Sequence, residues 1–191
     1  MKISEKYADY ILEETKKLLE IDSPSGYTKN VAEYVMEEYH KLGYKADMTI
    51  KGGVLVDLGG EDESNAVMLD THIDTLGGMV SEIKADGNLR IVPIGGLNAN
   101  NTEAENVRVV TRDGKIYTGV FQLDNASVHV NKEYSEKKRS FACMEVLLDE
   151  MVSTKDDTRK LGIDVGDIVC FDPRTVITPS GYIKSRFLDD K

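Results

Sequence analysis

From Gly77 to about Thr178, short β-type runs recur every ten residues or so, and this rhythm constrains the chain more than any other feature. The runs are Met79–Ile83, Leu89–Pro93, Val107–Thr111, Ile116–Phe121, Met144–Asp149 and Ile168–Phe171. Asp86-Gly87 and Asp113-Gly114 are strong hairpin-turn signals, because both residue types tolerate the positive φ that tight hairpins need. One short helix is expected from about Lys155 to Leu161, with Ser153 or Thr154 as its N-cap. The charged stretch Asn131 to Ser140 reads as a solvent-exposed loop. This pattern predicts a small β-barrel.

The residues before it follow a different period. Tyr7, Ile11 and Leu18 recur at helical spacing between about Ser4 and Glu20. Val31, Val35, Tyr39 and Leu42 form a second such stripe between about Thr28 and Leu42, and Gly43 stands where a left-handed C-terminal cap belongs. Asp22-Ser23-Pro24-Ser25-Gly26 separates the two helices with turn chemistry. Val54–Leu58 then reads as a short apolar strand, Glu61–Asn65 as a polar turn, and Ala66–Leu69 as a buried-type strand. Helix, helix, strand, strand is the opening of an α/β layer. The chain closes on Tyr182–Lys191, an alternating strand leading to adjacent carboxylates. The expected organisation is the N-terminal part of an α/β domain over 1–76, an inserted barrel over 77–178, and a return strand over 179–191. An α/β layer with so few elements cannot cover its own sheet, so more chain is expected to belong with it.

Composition narrows the function classes. A net charge of −10 argues against general nucleic-acid binding, which needs a basic face to neutralise phosphates. No apolar run approaches the ~20 residues of a membrane span. The charged N-terminus lacks the apolar block of a signal peptide. Cys143 and Cys170 are far apart and fit no metal spacing, which favours a reducing cytoplasm with both thiols as small core residues.

Two groups of residues carry chemistry. Asp70, His72 and Asp74 alternate, so an extended strand places all three on one face. A neutral His72 imidazole suits zinc and its neighbours, and Asp74 is spaced to accept the other ring N–H and fix the tautomer. Read alone, His-x-Asp is a weak signal, and a structural histidine hydrogen-bonded at a strand end is the plainer reading. Asp189-Asp190 is the second group. A carboxylate there suits the bridging position between two metal ions about 3.5–4 Å apart, or simply the acidic first turn of a helix.

Several tracts occur together and in order: Leu19–Gly26, Met68–Asp74, Gly77–Val80, Pro93–Gly96, Leu161–Ile163 with Gly166-Asp167, Phe171–Pro173, and Ser185–Lys191. The set resembles the dodecameric metallo-aminopeptidases, the group of glutamyl and leucyl aminopeptidases, some of which are labelled "cellulase M". The resemblance runs over nearly the whole chain. It implies an α/β/α metallopeptidase domain, present in part, with a barrel used for dimerisation and assembly. It implies peptide substrates, two divalent metal ions (zinc or cobalt) and a homo-oligomer, from dimer up to dodecamer. His72 would be a terminal metal ligand, Asp74 the carboxylate that orients it, and Asp189 the bridging ligand, with a cis Asp189–Asp190 peptide bond.

The chain departs from that pattern in four places. Asp70 stands where a small residue is usual, and outward-facing is the expectation for it. Thr75 stands where many members have an acidic residue, so substrate preference does not carry over. Lys191 replaces the usual arginine. The general-base Glu of an adjacent Glu-Glu pair, a further Asp ligand and a final His ligand would all follow Lys191. Glu13-Glu14 and Glu37-Glu38 lie on the opening helices, and His40 and His129 are read as structural, so none of these substitutes. A hydrolytic zinc needs about three protein ligands and an open position. The 191-residue polypeptide is therefore expected to bind metal weakly and to leave peptides intact. The competing reading is a non-catalytic assembly or binding protein built on the barrel. Coding sequence beyond Lys191 carrying Glu-Glu and a late His favours the enzyme. Glycan hydrolysis would need two carboxylates flanking a sugar bond, and no pair here takes that role.

Overall fold

The computed structural model describes residues 3–189, without the side chains of residues 3–5 and 63. It divides into two compact units: 1–75 together with 173–191, and 76–172.

The second unit is a closed barrel of six strands in the order β3-β4-β7-β6-β5-β8, every neighbouring pair antiparallel. The strands are β3 (Gly77–Ile83), β4 (Leu89–Ile94), β5 (Glu105–Val110), β6 (Ile116–Leu123), β7 (Met144–Leu148) and β8 (Ile168–Phe171). All six coincide with the β-type runs in the sequence. In β5 and β6 burial largely alternates, while β8 is a continuous apolar run. Val107 and Val109 of β5, Phe121 and Leu123 of β6, and Met144 and Val146 of β7 are at most 1% exposed and fill the interior. Phe121 centres the packing, edge-on to Phe171 at 5.7 Å and stacked on Phe141 at 5.8 Å.

Polar groups close the barrel's hairpins and ends. Buried Glu145 accepts from Lys84 and, at 3.0 Å, from Asn88, so its charge is paired rather than stranded. Helix α3 (Lys155–Lys160) is capped by Thr154, whose hydroxyl oxygen accepts from Asp157 N at 3.2 Å. It is tied to the β3–β4 turn by Thr158 Oγ1, which donates to Gly87 O at 2.7 Å.

The first unit carries α1 (Ile3–Glu20) and α2 (Lys29–Lys41). They are joined side to side where Tyr34 Oη donates to Glu14 at 2.6 Å. Helix α2 ends as its sequence predicts: Gly43 takes φ 88°, Tyr44 N donates to Tyr39 O, and Gly43 N donates to His40 O. His40 is structural, its Nε2 accepting from Ala46 N at 3.4 Å.

Elsewhere the first unit differs from expectation. Tyr7 and Ile11 of α1 are 45% and 55% exposed, and Leu19 is the residue that packs. No described element covers the Tyr7–Ile11 side, so helical spacing alone did not produce burial. Val54–Leu58 shortens to β2 (Val54–Val56), paired with β1 (Ala46–Met48), a strand the sequence pattern did not signal. Ala66–Leu69 forms no strand, and Val67, Met68 and Leu69 are 76–88% exposed. A strand exists only when its backbone finds a ladder partner, and among the described residues this run has none. The return strand contracts to β10 (Ile183–Lys184), paired with β9 (Val176–Ile177). Cys170 is buried as expected, but Cys143 is half-buried, its thiol bonded to Lys138 O and Ser140 O. Among the described residues no helix is long and apolar enough to cross a membrane.

Two stability outcomes follow. A Cβ at Gly119 would lie 2.5 Å from Leu147 O, so β6 and β7 approach at a distance only glycine allows. Gly119→Val is expected to destabilise the barrel by about 2 kcal/mol or more, read from the urea midpoint. Asp157 is held down to about 2 by hydrogen bonds from Thr154, Lys160 and the Ser153 N–H. Its folded value lies below its unfolded one, so its contribution is present above about pH 4 and is lost as pH falls toward about 2. In urea titrations across that window, the gap between wild type and Asp157→Asn should close.

Candidate metal-binding site

The site is built where the α1–α2 connection meets the segment leading to the barrel. Residues 70–74 belong to no strand, so the strand expected to carry Asp70, His72 and Asp74 on one face is not formed there. One isolated parallel bridge, Pro24 to Thr75, holds this segment. Thr75 N donates to Ser23 O at 2.8 Å and Ser25 N donates to Thr75 O at 3.1 Å. In a parallel bridge the central residue's own N–H is not used, so proline fits at position 24 without losing a bond. Ser23, fully buried, adds a third tie: its Oγ donates to Ile73 O at 3.1 Å.

That frame sets the side chains. His72 Nδ1 lies 3.1 Å from Asp74 Oδ1, and the other carboxylate oxygen, Oδ2, accepts a hydrogen bond from Ser25 Oγ. A ring proton held on Nδ1 leaves the imidazole lone pair on Nε2, the form in which histidine binds a metal. The side chains of His72 and Asp74 are 52% and 36% exposed, open enough for a ligand to approach. Asp70 is exposed. Asp189 is exposed in the same unit, two residues beyond Phe187, whose φ of 64° lies in the left-handed region that bulky residues rarely occupy. The Asp189–Asp190 peptide bond and Lys191 lie outside the described residues.

The structure thus brings His72 and Asp74 together and adds Ser25 and Ser23, which the sequence marked as turn residues within the tract Leu19–Gly26 but not as site residues. The signal available for them was hydroxyls on both sides of a proline. His72, Asp74 and Asp189 do not form a metal-holding group: among the described residues no three His, Cys, Asp or Glu side chains do. The donor set fits one metal-presenting imidazole with its orienting carboxylate.

One unit is a closed six-stranded barrel, and the other carries a helix pair and a histidine oriented by a carboxylate, an arrangement that metal-binding proteins use. Residues 52–191 match the family described as M42 glutamyl aminopeptidase, and the chain belongs to that family. Membership implies divalent metal ions. The chain is 46% identical over 180 residues to YhfE of Bacillus subtilis (strain 168), whose name places it provisionally among the aminopeptidases. That match covers 94% of this chain and 52% of the relative. Among solved structures, the aminopeptidase APDkam598 of the archaeon Desulfurococcus kamchatkensis is 31% identical with a TM-score of 0.79, covering 91% of this chain and 46% of that one. PhTET1-12s, solved as a dodecamer, shares the fold at 23% identity and a TM-score of 0.77, covering 100% of this chain and 52% of that one. The chain spans about half the length of the curated relatives it matches.

Removing the orienting carboxylate tests the site. With His72 as a ligand of a divalent ion, Asp74→Ala is expected to weaken binding of zinc, used as the probe, about 10–100-fold, the usual cost of losing a carboxylate behind a ligating histidine, as measured by chelator competition.

Proposed function

We propose that this chain supplies part of the two-metal centre of an aminopeptidase that removes N-terminal residues from peptides. The observation that carries the reading is the Asp74-to-His72 contact in a member of the M42 family. In this reading His72 would hold one ion, Asp74 would keep the ring in the tautomer that presents Nε2, and Asp189 would be the carboxylate serving both ions. When bound, the divalent ions, zinc or cobalt, lower the pKa of a water and stabilise developing negative charge. The chain's own part is to present the imidazole lone pair and to hold its proton on the far nitrogen.

The barrel unit is the assembly domain in this proposal, making the protein a homo-oligomer, and the dodecameric neighbour supports that reading. The cytoplasm is the proposed location, in keeping with two reduced cysteines. The preferred N-terminal residue is left open, because Thr75 stands where an acidic residue is common in the family.

The test uses the natural protein isolated from its own cells, assayed with amino-acid anilides. Product release should stop on chelation and return with zinc or cobalt. Absence of release with either metal, across acidic, basic and apolar residues, would refute the proposal.

A further inference from the structure

We propose that Ser25 is a positioning residue for His72, acting through Asp74; the functional consequence rests on His72 being a metal ligand. Asp74 has two oxygens and both are engaged, Oδ1 with His72 Nδ1 at 3.1 Å and Oδ2 with Ser25 Oγ. The carboxylate cannot rotate without giving up one of them. With Ser25 in place, the oxygen facing the imidazole is fixed, and so is the ring nitrogen that keeps the proton.

Exposed hydroxyl–carboxylate bonds normally compete poorly with water, so the argument turns on how firmly Ser25 is held. Its N–H donates to Thr75 O at 3.1 Å, and Thr75 is one residue from Asp74. Tyr27 N donates to Pro24 O at 2.7 Å, closing a turn whose third residue, Gly26, has the φ of 90° that a type II turn requires. Ser25 is the second residue of that turn, following a proline whose φ is locked. The backbones of Ser25 and Asp74 are therefore set by the same bridge, and the hydroxyl meets the carboxylate at little further entropic cost. Ser23 reinforces the geometry through Ile73 O at 3.1 Å. The connection between the two helices is thus a brace for the ligand, built from the tract Ser23-Pro24-Ser25-Gly26.

The experiment compares the chain with Ser25→Ala, Ser25→Thr and His72→Ala. The first readout, on metal-free protein, is nitrogen NMR of the His72 ring at about pH 8.5, where an ordinary imidazole is neutral. Wild type and Ser25→Thr should hold the proton mainly on Nδ1, and Ser25→Ala should shift population toward Nε2. The second readout is zinc affinity. Ser25→Ala should lose about three- to tenfold, less than the loss of a direct orienting carboxylate, and Ser25→Thr should stay close to wild type. A wild-type ring protonated mainly on Nε2 overturns the proposal without any variant, as does Ser25→Ala with wild-type tautomer populations. Equal zinc affinity for wild type and His72→Ala would instead refute the ligand reading, while the tautomer shift would still establish the brace.

Discussion

Strand β8 pairs with β3 along one edge and with β5 along the other, and those two ladders close the barrel. Closure matters because a strand's N–H and C=O groups must all be satisfied, and a barrel does this without leaving an edge. The same demand explains the contrast within the chain. Where ladders close, apolar residues are driven inward, as at Val169 and Phe171, each at most 1% exposed. Where no partner is present among the described residues, an equally apolar run, Val67-Met68-Leu69, stays irregular and exposed.

The candidate site depends on that rule at its smallest scale. One parallel bridge, with a proline at its centre, replaces a sheet as the support for residues 70–75. It suffices because the bridge comes with two serine hydroxyls, one bonded to Ile73 O and the other to Asp74. The imidazole is then oriented by a carboxylate that is itself oriented. Such layered support is how proteins tune metal ligands, since the ring's partner sets both its direction and its basicity. Asp189 has no comparable frame described around it, although the left-handed φ at Phe187 marks that segment as one whose conformation its surroundings dictate.

Legibility in the sequence varied with the range of the interactions involved. Each barrel strand was readable as a short β-type run recurring every ten residues or so, and the α3 cap as Ser153 or Thr154, of which Thr154 takes the role, because these are local patterns. The end of α2 was readable for the same reason, since Gly43 and its neighbours form a self-contained motif. Strand β1 was missed because Ala46-Asp47-Met48 has no β-type signature and exists only by pairing with Val54–Val56. The exposure of Ile11 was missed because periodicity identifies an apolar face but not what covers it.

For the site, His-x-Asp was legible as an oriented imidazole, since two residues two apart meet almost regardless of the fold. The resemblance in the ordered tracts led to the family that the match over residues 52–191 establishes. By itself, then, the sequence determined the barrel's strands, the helix ends and the His72–Asp74 pairing, all governed by short-range stereochemistry. Only the tertiary structure decided that Ser25 would reach Asp74 from 49 residues away, and that Ala66–Leu69 would be left without a ladder. Both depend on which distant backbone groups find each other, and no local pattern encodes that.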